Sequence, residues 1–160
     1  MTTTMSDTKQ VAQKPNERKF KHIIIHSSAT MQGKYLDATD IDIMHRDKGW
    51  AGIGYNFVVD LDGNVELGRS LKLEGAHCRA KGRNKDSIGI CYIGGIDCEG
   101  NAADTRTREQ KIAIEALLQG LKAVWPEAQI SGHRAWVATE CPSFDAGRAY
   151  NHITGQPLLE

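Results

Sequence analysis

Residues 21–26 have the sequence Lys-His-Ile-Ile-Ile-His, and this short stretch is the clearest indication of the fold. Its three consecutive isoleucines are β-branched and apolar, which favours a buried strand over a helix. Residues 87–93, with the sequence Ser-Ile-Gly-Ile-Cys-Tyr-Ile, have the same character and precede two glycines. Neither stretch shows the polar alternation of a half-exposed strand, so we predict two buried strands within one sheet.

Two helices are predicted from their capping residues. Residues 39–48 form a short helix with Thr39 as its N-cap. Residues 108–125 follow Thr107, which has a glutamine, Gln110, three positions later and so forms a capping box. Apolar residues recur at helical spacing along this second helix and are predicted to face the sheet: Ile114, Leu117, Leu118, Leu121 and Trp125.

A hairpin and one further strand complete the predicted sheet. Strands 56–60 and 64–67 flank Asp62-Gly63, a dipeptide that is favoured in the tight turns of hairpins. Residues 129–131 form a short strand that ends at His133. Strands that alternate with helices, together with one hairpin, predict the α/β class: a single domain with a central mixed β-sheet flanked by helices.

Length and charge limit the classes of function. A chain of 160 residues, 40% of them hydrophobic, is the size of one domain with a core of its own. Lys+Arg and Asp+Glu number 20 each, which gives a formal net charge of zero. Without an excess of positive charge, we expect no binding to nucleic acid through phosphate neutralisation.

The two ends of the chain differ in composition from its middle. Residues 1–19 are polar and predict a disordered leader, followed by a folded domain over 20–155 and a C-terminal tail over 156–160. The leader lacks the apolar middle of a secretory signal, and apolar runs are far shorter than the ~20 residues of a membrane span. We therefore predict synthesis in the cytoplasm without a signal peptide, and no membrane span.

Three residues with the chemistry of metal ligands lie at or after predicted strand ends. His26 ends the first strand, His133 ends the last, and Cys141 follows shortly afterwards. Zinc takes histidine nitrogen and cysteine sulfur, and catalytic sites use three protein ligands with one position left open. This spacing is not specific for zinc, however, and it equally fits solvated histidines and an ordinary buried thiol.

Other side chains leave further alternatives open. Tyr55 follows Gly-Ile-Gly, and its phenol could point into a groove or into the core. His77 lies in a glycine-rich loop, where a ligand-facing role and a plain loop role are equally possible. A nucleophilic pair of Cys91 and His133 is conceivable, although a cysteine in the middle of a strand better fits an inert buried thiol.

Several segments taken together resemble the zinc-dependent N-acetylmuramoyl-L-alanine amidases of the T7-type phage lysozyme and peptidoglycan-recognition-protein family. They occur in the order of that family, at similar spacing, over about residues 20–148. The matching pieces are His26-Ser-Ser-Ala-Thr30, Gly49-Trp-Ala-Gly-Ile-Gly-Tyr-Asn-Phe57, Asp62-Gly-Asn-Val-Glu-Leu-Gly-Arg69, Gly75-Ala-His77, Asn84 with Ser87-Ile-Gly-Ile-Cys91, Gly94-Gly-Ile-Asp97, and His133 to Cys141-Pro-Ser-Phe-Asp145. The phage enzymes look closest, because Cys-Pro-Ser-Phe-Asp and Gly-Gly-Ile-Asp match them.

The resemblance implies an amidase fold with one Zn²⁺ per chain, held by His26, His133 and Cys141. It implies that Tyr55 hydrogen-bonds the zinc-activated water or the developing oxyanion. Thr139 stands where the phage lysozymes have a catalytic lysine. Active peptidoglycan-recognition amidases have threonine there, so Thr139 is a catalytic candidate that offers a hydroxyl hydrogen bond. The implied substrate-binding residues are His77, Asn84, Trp50 and Arg69.

The implied function is that of an endolysin-like peptidoglycan hydrolase. It would cleave the amide between N-acetylmuramic acid and L-alanine of the stem peptide, as a monomer acting on the periplasmic cell wall after release. The alternative is a non-catalytic peptidoglycan-binding module. Such modules typically lack the cysteine ligand, so the presence of Cys141 favours catalysis.

Overall fold

The computed structural model describes residues 18–154, and a five-stranded sheet forms its centre. The strands of this sheet are β1 (His22–Ser27), β3 (Phe57–Val59), β4 (Val65–Leu67), β5 (Ser87–Tyr92) and β7 (Gln129–Gly132). Their order is β4-β3-β5-β1-β7, with β3 and β4 antiparallel and the other neighbours parallel. The mixed sheet predicted from the sequence is therefore confirmed.

A second, two-stranded sheet was not predicted. It pairs β2 (Thr30–Met31) with β6 (Gly95–Ile96). The predicted leader lies outside the described residues except for its last two positions, and the predicted tail over 156–160 lies wholly outside them. Within residues 18–154, no helix is long and apolar enough to cross a membrane.

Across the described residues 18–154, four α-helices connect or follow the strands: α1 (Ala38–Asp47), α2 (Arg83–Asp86), α3 (Arg108–Val124) and α4 (Ala146–Ala149). The capping box predicted at the start of α3 is present, with Thr107 and Gln110 each bonding to the other's backbone N–H. The predicted start of α1 is wrong, because its N-cap is Asp37 and not Thr39. The Asp37 carboxylate accepts from the N–H of Asp40, whose own carboxylate accepts from the N–H of Asp37. This reciprocal pair stabilises the first turn.

The sheet is covered on both faces. On one face, Ile23 and Ile25 of β1 pack in a cluster with Ile114 and Leu118 of α3. On the other face, a smaller cluster includes Ile41 of α1 and Val58 of β3. Since side chains alternate along a strand, Ile24 and His26 point away from α3. The fold thus places His26 on the face of α1, at the carboxyl end of β1.

Gln110 joins α3 to the sheet. Its fully buried side chain donates to the carbonyls of Val59 and Ile93 and accepts from the N–H of Thr107. We expect Gln110→Leu to lower the free energy of unfolding by about 2–3 kcal/mol, because buried polar groups lose their partners. Thermal denaturation should show a Tm about 5–10 °C lower.

The matched control for this prediction is Gln119→Leu, an exposed position of the same helix. This control should leave the Tm within about 1–2 °C, since surface substitutions usually change stability by no more than ~0.5 kcal/mol. Equal Tm values for both variants would contradict the role of Gln110 as a link between α3 and the sheet.

Candidate metal centre

The carboxyl ends of two adjacent parallel strands bring His26 and His133 together. Strands β1 and β7 pair with Ile25 opposite Gly132, so the residue that follows each of these positions is a histidine. The two imidazole rings lie with their centroids 4.5 Å apart. The sequence placed both histidines at strand ends, and the sheet order makes those ends neighbours.

Cys141 reaches the histidines because the loop after β7 folds back on itself. The Arg134 N–H donates to the Cys141 carbonyl at 2.8 Å, and the Ser27 N–H donates to the Cys141 Sγ at 3.3 Å. Pro142 packs directly on Gly132, where a Cβ atom would lie 2.8 Å from the Pro142 Cδ. A residue with a side chain at position 132 would therefore push the cysteine loop away.

The three side chains form a compact donor set. One ligand atom from each of His26, His133 and Cys141 lies within 4.8 Å of the others, and the Cys141 Sγ is 3.8 Å from the His26 Nδ1. Nitrogen and sulfur ligands without a carboxylate suit zinc, and three ligands leave a fourth position open. These residues therefore fit the Zn²⁺ ion that the family resemblance implies.

Burial sets the protonation of the candidate ligands. It lowers the pKa of His26 well below its usual value, and neighbouring histidines lower it further. Burial also lowers the pKa of His133 and raises the pKa of the Cys141 thiol. The hydrogen bond from the Ser27 N–H partly offsets this rise, because it lowers the pKa of the thiol. Both imidazoles are thus neutral at pH 7 and able to bind a metal, and a cation would stabilise the thiolate.

Tyr55 lies beside the donor set. Its ring centroid is 4.9 Å from that of His26. Burial raises the pKa of Tyr55 well above its usual value, so the hydroxyl keeps its proton at neutral pH. His45 packs against the ring with centroids 5.2 Å apart. The arrangement holds a hydrogen-bond donor next to the candidate metal position.

Thr139 lies on the exposed side of the same loop as Cys141. Its Oγ1 accepts from the Cys141 N–H at 3.3 Å, a long hydrogen bond that leaves the hydroxyl proton available to a second partner. A threonine hydroxyl carries no positive charge, so it can stabilise an oxyanion only through a hydrogen bond.

His77 and Asn84 lie in and after the glycine-rich loop, close to the donor set. The His77 Nδ1 is 2.8 Å from the His26 Nε2, and only 8% of the residue is exposed. The Asn84 Oδ1 accepts from the N–H groups of His77 and Cys78. Their predicted role as substrate-binding residues stays a prediction. The contact between His77 and His26, which the sequence did not indicate, joins the loop to the candidate metal centre.

Trp50 and Arg69 differ in accessibility. Trp50 is 45% exposed, and its indole packs on the His45 ring at a centroid distance of 4.5 Å. The Arg69 guanidinium instead donates to the backbone carbonyls of Glu74 and Ile53. Trp50 therefore presents an open aromatic surface near the site. The predicted contact of either residue with substrate remains a prediction.

Cys91 lacks the surroundings of a reactive nucleophile. It is fully buried in β5, and burial raises the pKa of its thiol well above the usual value. Reactive cysteines lie in partly exposed, electropositive surroundings that stabilise the thiolate. The structure therefore gives no support to a cysteine nucleophile at this position.

Comparison with known proteins identifies the family. Residues 16–144 match the family described as N-acetylmuramoyl-L-alanine amidase. The chain belongs to this family. The match covers most of the described residues and includes all three candidate metal ligands, and it confirms the family predicted from the sequence segments.

Individual relatives of the amidase agree with this assignment. An endolysin of Escherichia phage T7 is 37% identical over 126 residues, which cover 79% of this chain and 82% of the phage protein. Peptidoglycan-recognition protein SC2 of Drosophila melanogaster is 36% identical over 130 residues, covering 76% and 67% of the two chains. Among solved structures, N-acetylmuramoyl-L-alanine amidase LysC from Clostridium intestinale URNW has a TM-score of 0.69 at 26% identity, covering 84% of each chain.

These similarities confirm two further predictions for the amidase. The central mixed sheet flanked by helices is the fold of known amidases and peptidoglycan-recognition proteins. The family and its endolysin relatives also support the predicted activity, so the chain is a peptidoglycan hydrolase of the amidase class.

Proposed function

We propose that the chain is a zinc-dependent N-acetylmuramoyl-L-alanine amidase, which hydrolyses the amide between N-acetylmuramic acid and L-alanine. The observation that carries the metal part of this proposal is the donor set of His26, His133 and Cys141, whose ligand atoms lie within 4.8 Å of one another. When bound, zinc would supply a Lewis acid that lowers the pKa of a water to about 7 and so would provide hydroxide at neutral pH.

Residues around the donor set hold the sulfur ligand and stabilise the developing oxyanion. The Ser27 N–H bonds to the Cys141 Sγ, which holds the sulfur in place and stabilises its negative charge. The protonated Tyr55 hydroxyl is available to donate to the carbonyl oxygen of the scissile amide as that oxygen gains negative charge. The exposed Thr139 hydroxyl, next to the Cys141 backbone, offers a second donor. Neutral side chains thus replace the lysine of the phage lysozymes.

Residues around this centre contact the substrate in the proposed function. We assign the exposed Trp50 indole to the apolar faces of the sugar or stem peptide, because aromatic surfaces beside a site commonly bind such groups. His77, Asn84 and Arg69 complete the proposed substrate-binding set. Their polar groups are largely engaged with the protein itself, so they act mainly by shaping the walls of the groove.

The proposed setting follows from the substrate. The amidase is made in the cytoplasm and acts, as a monomer, on the bacterial peptidoglycan of the periplasmic cell wall after release. The endolysin relatives support action on the cell wall.

Mass spectrometry of purified sacculi digested by the protein tests the activity and its metal dependence together. We expect free stem peptides that begin with L-alanine and intact glycan strands. Pre-treatment with a zinc chelator should abolish the release of stem peptides, and added Zn²⁺ should restore it, because the proposed nucleophile depends on the metal.

Other products would overturn the proposal in distinguishable ways. Cleavage within the stem peptide that resists chelators but is blocked by thiol alkylation would indicate a cysteine peptidase. Binding to sacculi without release of any product, even with added Zn²⁺, would indicate a non-catalytic peptidoglycan-binding module.

A further inference from the structure

A chain of hydrogen bonds leads from His26 into the start of strand β5. The His26 Nε2 is 2.8 Å from the His77 Nδ1, and the His77 Nε2 is 3.1 Å from the Ser87 Oγ. The Ser87 Oγ in turn donates to the backbone carbonyl of Arg83. Four groups are thus connected in series, and only the last of them has a fixed role, because a carbonyl oxygen can only accept.

Because the Arg83 carbonyl can only accept, it determines which atom carries each proton in the series. Ser87 has one hydroxyl proton, and the close contact with the carbonyl requires that proton to lie between the two oxygens. The Ser87 Oγ must therefore accept from the His77 Nε2–H. A neutral His77 with its proton on Nε2 presents a lone pair at Nδ1, so the His26 Nε2 must carry a proton and donate it.

This tautomer leaves the other nitrogen of His26 unprotonated. The His26 Nδ1 is the nitrogen on the side of Cys141, 3.8 Å from its Sγ. We propose that His77 and Ser87 are positioning residues that hold His26 in the Nε2–H tautomer, with the Nδ1 lone pair directed at the metal position. Partners of this kind, one layer outside the ligands, orient metal-binding histidines and strengthen metal affinity.

The surroundings of His77 hold its ring in the required orientation. The ring packs on Gly89 of β5, where a Cβ atom would lie 2.6 Å from the His77 Cγ. The Asn84 Oδ1 fixes the backbone of His77 by accepting its N–H at 2.9 Å. Only 8% of His77 is exposed, and burial of this kind favours a neutral ring that has one donor and one acceptor. The ring therefore has little freedom to flip and exchange its nitrogens.

The Ser87 hydroxyl lies one step further from His26 than the His77 ring does. Its loss leaves the bond between His77 and His26 in place, so the contribution of the hydroxyl should be smaller than that of the His77 ring.

Long-range ¹H–¹⁵N NMR spectra of the full chain, recorded without metal, test the inference directly because they assign the protonated nitrogen of each histidine. We expect the Nε2–H tautomer for both His26 and His77. A proton on Nδ1 of either ring would overturn the inference. The effect on affinity rests on the proposed zinc function, whereas this measurement does not. A chain with these tautomers but no zinc binding would therefore overturn the proposed function alone.

Zinc affinity, measured by competition with a chelator, tests the consequence. We expect His77→Phe to weaken binding about 10–100-fold and Ser87→Ala about 3–10-fold, with affinity restored by Ser87→Thr. The matched controls are His152→Phe and Ser70→Ala, which change exposed residues outside the site and should leave the affinity unchanged. Unchanged affinity in a folded His77→Phe variant would overturn the positioning role.

Discussion

Purified Cys141→Ser is expected to contain no zinc and to release stem peptides from sacculi at least ~1,000-fold more slowly than the unaltered chain. Serine is a poor zinc ligand, because its hydroxyl stays protonated where a thiolate forms. A metal contributes several kcal/mol of transition-state stabilisation, and about 4 kcal/mol corresponds to a ~1,000-fold change in rate. Metal content by atomic emission and product release by mass spectrometry measure the two effects on the same sample.

The control for this variant is Cys98→Ser, which makes the same change at an exposed thiol. We expect full zinc content and full activity in the control. Zinc content in Cys141→Ser equal to that of the control would remove cysteine from the ligand set and contradict the proposed metal centre.

The second large effect is expected for Tyr55→Phe. This substitution removes the hydroxyl and keeps the ring that packs between His26 and His45. Loss of one donor to a developing oxyanion typically lowers kcat about 100–1,000-fold. Because Tyr55 is not among the proposed ligands, we expect zinc content to be unchanged and KM to change little. Kinetics on a soluble muropeptide, paired with metal analysis, separates these quantities.

Tyr35→Phe serves as the control, because Tyr35 is 71% exposed and loses the same hydroxyl without a role in the site. Its kcat should equal that of the unaltered chain. A Tyr55→Phe variant with normal kcat would show that the hydroxyl does not stabilise the transition state. A loss of zinc from the Tyr55→Phe variant would instead indicate that Tyr55 helps to hold the metal.

Local sequence patterns were enough to predict the central elements of the fold. The isoleucines of β1 are fully buried, and the apolar positions of α3 face the sheet. Each pattern could be read locally, because it requires only that another layer of the structure covers the apolar side chains. The start of α1 was not predicted correctly, since Asp37 and Thr39 are both good N-cap residues. The choice between them depends on the reciprocal bond of Asp40, which composition does not encode.

Less of the candidate site than of the fold could be predicted from the sequence. The sequence predicted that His26 and His133 end their strands, whereas in the structure His26 is the penultimate residue of β1 and His133 directly follows β7. Their proximity depends on β1 and β7 being neighbours in the sheet. Residue patterns alone left the metal site open, and only the family resemblance implied it. The bond of His77 to His26 joins residues 51 positions apart through a loop whose shape is set by tertiary contacts. No local pattern reports a contact of that kind.

The position of Cys141 has a consequence for synthesis. Every strand of the central sheet is complete by Gly132, but the sulfur that meets His26 lies 115 residues after it in the chain. The proposed sulfur ligand is therefore among the last residues of the domain to be synthesised. A chain that stopped at Glu140 would contain every strand of the central sheet but would lack the thiolate that the proposed metal centre requires.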